Sequence, residues 1–365
     1  MNNPHLHNYH YIDTLNNLRQ DILVWLKTVH QHEHTGYYRY SYKGSLHYPS
    51  AQSGLGMSCF ALRTYYTLGA LDAIEPNDLQ AWTNYIKSFQ THKGVCDGYF
   101  EDTELLRVVD KKMGRFRRDM GVRRAETRQA CGTLLSVGAK PRYPVIADLP
   151  QTSEQLIDYI YALPWLDNPW HAGSHTSHLA FFLKLNADVF GYTDKFAELM
   201  PLILIELDRL QDPDTGSWFG GTPSMPQIIN GAMKVLTIYE LLQRPFAYPE
   251  KLIDTCLNAK NDSNACGNVD ITLVLHHCQK WTTYRQNEIR AFAEERLQSI
   301  MSFRKPDGAF SFLPDTTGKY YYKVEISQGL VESDLHGTSL FTWTIAMLAE
   351  ILGIADTLGW HVPII

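Results

Sequence analysis

The chain has 365 residues, a formal net charge of −6 and 44% apolar residues, enough apolar material for a large core. Charged residues make up 20%, a share that argues for a folded rather than a disordered chain. The negative balance leaves no global footprint for nucleic acid, and no apolar run approaches the roughly 20 residues of a membrane span.

The first residues, MNNPHLHNYHYID, have neither a basic stretch nor an apolar one, so no secretory leader is expected. The six cysteines (Cys59, Cys96, Cys131, Cys256, Cys266 and Cys278) are scattered without a C-x-x-C pair. Both features point to a reduced, cytoplasmic protein. The HHCQ stretch at 276–279 lacks the ligand spacing of a zinc site.

Helical periodicity dominates, and two styles of segment alternate along the chain. Amphipathic segments with a polar face run near 12–31, 77–91, 152–163, 193–211, 248–258 and 284–303. Between them lie six segments that begin with small or polar residues and continue apolar nearly all round: 53–71, 125–139, 171–185, 227–242, 266–278 and 333–353. A helix apolar on every side is buried on most sides, whereas one with a polar face is half-exposed. Six buried helices ringed by six half-exposed ones form an (α/α)6 toroid, the simplest closed arrangement, so an all-α chain forming a single toroid domain over 1–365 is expected.

Four connections share an Asp/Thr–Gly–aromatic element: HEHTGYYRY (32–40), CDGYFED (96–102), DPDTGSWFGG (212–221) and KPDGAFSF (305–312). The glycine suits a tight turn and the aromatic an anchor. The stretch QDPDTGSW, with Gln211, Gly216 and Trp218, resembles the Q-x(2–5)-G-x-W repeat of triterpene cyclases. The alternating helices resemble the α/α toroid shared by terpenoid cyclases, protein prenyltransferases and many carbohydrate-active enzymes. In the cyclases the Gln/Trp repeats are held to be structural, which the resemblance implies for Gln211 and Trp218. The D-x-D-D and D-D-x-x-D motifs of terpene chemistry are absent from this chain.

In a toroid the inner helices start at one mouth, where their free N–H groups and positive dipole ends converge. The polar residues of those first turns are therefore candidates: Glu126 and Arg128, His171 and His175, Gln227 and Asn230, Asn268 and Asp270, then Glu332, Asp334 and His336. The preceding loops add Tyr37, Arg39, Asp97, Tyr99, Glu101, Asp102, Trp170 and Trp218. As acid/base groups the reading favours His175, His336, Asp270, Glu101 and Asp334; the others would bind substrate, with Tyr99, Trp170 and Trp218 stacking on sugar rings. Asp334 and Asp270 could equally be helix caps. His171, His175 and His178 span about 10 Å of helix, too far for one metal ion to touch all three, so no metal is expected. No nucleotide-binding glycine pattern or nucleophile elbow is present, so no cofactor is expected either.

Segment 107–128 holds nine Lys/Arg against three acids in a chain of negative charge. On the mouth face it would suit an anionic small molecule or oligosaccharide. The combined expectation is an enzyme hydrolysing, eliminating or epimerising an anionic carbohydrate. The alternatives are a terpenoid or prenyl-diphosphate enzyme, and a non-catalytic toroid that binds a ligand or partner.

Overall fold

The computed structural model describes residues 4–113 and 119–364, without the side chains of 4–10 and 113. Residues 114–118 of the basic segment lie outside the described residues. The inner helices are α2 (Leu55–Thr67), α5 (Met120–Ser136), α7 (Pro169–Phe190), α9 (Met225–Leu242), α11 (Ala265–Cys278) and α13 (Leu335–Leu352). Each packs on the next and α13 returns to α2, so the ring closes. The half-exposed helices stand outside it: α1 (Pro4–Val29), α3 (Pro76–Ser88), α6 (Ser153–Tyr161), α8 (Thr193–Leu210), α10 (Pro249–Leu257) and α12 (Gln286–Ser299). Among these, α3, α8, α10 and α12 pack directly on inner helices, and α6 packs on α8.

The inner helices run parallel. Near their starts, Gly231 of α9 lies against Pro169 of α7, and His336 of α13 stacks on Phe60 of α2. Near their ends, His277 of α11 meets Glu240 of α9, and His276 meets Glu350 of α13. α13 is long and apolar enough to cross a membrane by length and composition, but it is 83% buried as a wall of the ring. The cysteines are free.

The small or polar residues that open the inner helices are largely caps. Asp119, Asn168, Asn264 and Asp334 accept from the N–H groups of Val122, His171, Gly267 and Gly337, satisfying donors that a helix start leaves open. α2 begins at a glycine, and Asp102 supplies the missing acceptor from a neighbouring loop, taking the N–H groups of Gly54 and Leu55.

The four Gly–aromatic connections fold alike. Gly36, Gly98, Gly216 and Gly308 all have φ between 72° and 105°, and the residue two further on makes an isolated antiparallel bridge to the end of the preceding outer helix. Those residues, Tyr38, Phe100, Trp218 and Phe310, are buried. In two of the turns a glutamine clamps the loop. Gln211 donates to the carbonyls of Gly216 and Ala247, and Gln90 donates to those of Gly98 and Tyr143. The Gln/Trp element is therefore a device that seats each connection against the next segment.

Three elements lie beyond the sequence expectation: α4 (Thr103–Met113), α14 (Ala355–Leu358) and a hairpin of β1 (Tyr320–Tyr321) with β2 (Val324–Glu325). Tyr322 and Lys323 form the two-residue turn of that hairpin, with φ of 45° and 65°. Such a turn favours glycine and asparagine, so a tyrosine there is held by its contacts.

Replacing Gly216 by alanine tests the repeated turn. The new Cβ would meet the Tyr248 carbonyl oxygen at 2.6 Å and the Leu252 nitrogen at 2.7 Å, from a left-handed backbone. Urea unfolding of Gly216→Ala should show a loss of about 2–4 kcal/mol; an unchanged midpoint would contradict this account of the turn.

Candidate functional site

The interior of the ring is polar in three tiers. Near the start of α13, His336 lies between Phe60 and Phe312, with ring centroids 4.7 and 4.8 Å away, and Tyr321 stands edge-on at 5.9 Å. Burial in this aromatic surround, with the Arg63 charge nearby, pulls the imidazole down to about 3, so it is neutral across the physiological range.

On the side of α5, Arg124 organises the first turns. It pairs with Asp148 and donates at 2.8 Å to Nδ1 of His175. A guanidinium can only donate, so Nδ1 carries the lone pair and the proton of neutral His175 sits on Nε2. Burial, with the His171 and Arg124 charges, takes His175 down to about 3. His175 thus presents an N–H rather than a basic nitrogen. His171, more exposed, lies 4.2 Å from it, and His178 follows 6.0 Å further along α7.

Two carboxyl groups occupy the middle tier. Glu126 accepts a hydrogen bond from the Tyr321 hydroxyl of the hairpin on one oxygen, and its other oxygen is buried without a partner. Desolvation outweighs the hydrogen bonding and raises Glu126 to about 8. Asp270 on α11 is 2% exposed and rises to about 7 through burial, opposed by the charge of Lys234. With its amide oriented to satisfy both of its ends, Asn230 donates to Asp270 at 3.0 Å. α5 and α11 are three steps apart in the six-helix ring, so these two carboxyl groups belong to opposite walls.

A third set of inner-helix groups is cationic: Arg63 of α2, Arg128 of α5 and Lys234 of α9. Arg128 donates to Ser177 at 2.5 Å and Thr237 at 2.8 Å, and its face lies 5.6 Å from the Phe181 ring centre. Burial lowers Arg128 to about 9 and also lowers Lys234 and Arg63.

The remaining sequence candidates divide by what their polar atoms already hold. Asp334 caps α13 with one oxygen, and its other oxygen accepts from Phe312 and Gly318. Glu332 accepts from the N–H groups of Lys43 and Gly44, and Glu101 pairs with Arg123. Asp97 pairs with His92, the Tyr99 hydroxyl donates to Ala147, and Trp218 packs with Tyr239 and Phe246. Tyr37 packs on Tyr85, and Arg39 donates to the Thr28 carbonyl, both at the outer layer. Trp170 is 37% exposed at the start of α7, and Gln227 keeps a buried carbonyl oxygen without a partner. Brought together inside the ring are His175, His336, Asp270, Asn230, Arg128 and Glu126.

Sequence reasoning passed over Arg63, Lys234, Tyr321 and Phe312. For the two cations a signal existed: Arg63 is the lone charge of α2, and Lys234 shares α9 only with Glu240 near the helix end. Of the basic segment, Arg123 is held by Glu101 and Asp110, whereas Arg124 and Arg128 reach the interior. Among the described residues no group of three or more His, Cys, Asp or Glu side chains could hold a metal ion.

No family model and no curated protein matches this sequence. Among solved structures, the chain is similar to a GH76A α-1,6-mannanase from Salegentibacter (12% identity, TM-score 0.45) and to a type II terpene cyclase from Scytonema (13% identity, TM-score 0.45). Each of these alignments covers 95% of this chain and 99% of the other. A polysaccharide lyase aligns over 82% of this chain and 90% of its own, at 10% identity and TM-score 0.42.

The protonation of Glu126 gives a pH dependence. Unfolded, the carboxyl releases its proton near 4.5; folded, it keeps it to about 8. Its contribution to stability is complete below the unfolded value and is lost as pH rises through the folded one. Glu126→Gln cannot ionise, so calorimetry should show its melting temperature gaining on wild type between pH 5 and pH 8. A gap that stays constant would mean that Glu126 ionises normally.

Proposed function

We propose that the chain is a cytoplasmic enzyme that acts on an anionic carbohydrate by general acid–base catalysis inside the ring. The observation that carries this reading is the pair of carboxyl groups on opposite walls, Glu126 and Asp270, each holding its proton toward neutral pH. An effective acid or base has a proton affinity near the working pH. Between about 7 and about 8, Glu126 is still largely protonated and can donate, while Asp270 is largely ionised and can accept. Lys234 favours the ionised form of Asp270 and would follow it through the reaction.

The other groups fit supporting roles. Neutral His175 offers its Nε2–H to a hydroxyl or a developing oxyanion. The aromatic faces around His336 suit the apolar face of a sugar ring. The Arg, Lys, His and carboxyl lining favours a hydroxyl-rich anionic molecule over an isoprenoid chain. Hydrolysis, elimination and epimerisation each need one donor and one acceptor flanking the reacting carbon, which is what Glu126 and Asp270 would supply.

The test is turnover on a panel of uronide and sulfated oligosaccharides, with a prenyl diphosphate in parallel. An acidic saccharide should be consumed, with a bell-shaped pH profile centred between pH 7 and 8. Glu126→Gln and Asp270→Asn should each lower kcat about 100-fold or more. Wild-type rates in both variants, or consumption of the prenyl diphosphate alone, would sink the reading.

A further inference from the structure

The three interior cations are the feature that the fold does not account for. The ion pairs of the described residues are made by other Lys and Arg side chains. Among the described residues, Arg63, Arg128 and Lys234 have no carboxylate within ion-pair distance. Arg128 is 8% exposed, and its only hydrogen-bond acceptors are two neutral hydroxyls. The charges lie within electrostatic reach of one another: Arg63 lowers the proton affinity of Arg128, and both lower that of Lys234, against which Asp270 favours charged Lys234 and Glu126 charged Arg63. Like charges gathered in a dry interior oppose folding, and interiors normally pair each one.

Two further atoms in the same place lack partners: Nε of Arg128 and Nδ1 of His178, a histidine 6% exposed. Arg63 and Lys234 are half-buried and keep some contact with solvent. The cations also lie beside the two carboxyl groups: Arg128 is two residues from Glu126 on α5, and Lys234 of α9 is within electrostatic reach of Asp270 on α11. Below, Thr237 both accepts from Arg128 and lines the cleft at the opposite end of the ring, so the Arg128–Thr237 bond closes the chamber from beneath.

We infer that Arg63, Arg128 and Lys234 form an oxyanion-binding floor, which seats one carboxylate, sulfate or phosphate group of the substrate. The molecule enters charge-first, and its reacting carbon comes to lie between Glu126 and Asp270. This deepens the proposed function and rests on it for the second statement. It restricts the substrate to a molecule whose acidic group is terminal: a chain end or a small acidic sugar. The guanidinium fork of Arg128, already anchored by Ser177 and Thr237, would give the bonds their direction, and Lys234 would supply a point charge.

The test uses the full chain at constant ionic strength, with D-glucuronate, sulfate, phosphate and neutral D-glucose as probes. Thermal shift and titration calorimetry should show at least one oxyanion raising the melting temperature by about 2 °C or more near saturation, and glucose none. Which anion does so identifies the acidic group. Lys234→Met should abolish that shift while raising the melting temperature of the unliganded protein, a pair of opposite effects that a misfolded variant would not show. Lys234→Arg should keep the shift, as should Glu126→Gln. On an acidic saccharide, Lys234→Met should raise KM about tenfold or more and, because Lys234 also favours ionised Asp270, should move the acidic limb of the kcat profile to higher pH; Lys234→Arg should restore both. No shift with any oxyanion, or equal shifts in wild type and Lys234→Met, would overturn the floor. Anion binding lost in Lys234→Met with no acidic saccharide turned over would keep the floor and end the acid–base reading. An acidic saccharide turned over with an unchanged KM in Lys234→Met would do the reverse.

Discussion

The contact of α13 with α2 closes the ring, and the chemistry of the interior follows from that closure. Six parallel helices that surround an axis remove its lining from bulk water while leaving room along it. Any titratable group on the inward face then answers to its neighbours rather than to solvent. Glu126 and Asp270 hold their protons, and His175 and His336 lose theirs, for the same reason: the charged form of each is dearly desolvated. A single geometric fact thus produces neutral acids, neutral imidazoles and weakened cations within one chamber.

Closure depends in turn on the repeated turn that brings each outer helix back to an inner one. Four glycines in left-handed conformation, each followed two residues later by a buried aromatic, set these connections. Gln90 and Gln211 tie two of them to the following segment through backbone carbonyls. The long connection before α13 departs from this plan. It inserts a hairpin whose Tyr321 reaches Glu126, and the left-handed pair Tyr322–Lys323 is kept by that contact and by the Lys112 amine on the Lys323 carbonyl. The hairpin of this connection is therefore coupled to the protonation of a wall residue.

Much of this was legible in the residues. The alternation of all-apolar and half-apolar segments placed the inner and outer helices, because burial on every side writes itself into composition around the whole helix. Asp270, Arg128, His175 and His336 could be named because polar residues near the head of such a helix stand out. Asp334, Glu332 and Glu101 stood out equally, and their oxygens turn out to hold backbone N–H groups or Arg123. A cap and a catalytic acid look the same in one dimension, since both are carboxylates beside a helix start. The hairpin escaped because two-residue strands are too short to show alternation.

Sequence by itself determined the alternation of buried and half-exposed helices, the polar heads of the buried ones and the glycine–aromatic turns between them, since each is set by neighbours close along the chain. Tertiary structure alone decided which nitrogen of His175 carries the proton, that Glu126 and Asp270 stand on opposite walls of the ring, and that Arg63, Arg128 and Lys234 come within electrostatic reach of one another. Those properties belong to pairs of residues dozens to hundreds of positions apart. A proton affinity is fixed by the distance to other charges and to water, and no local pattern encodes that distance.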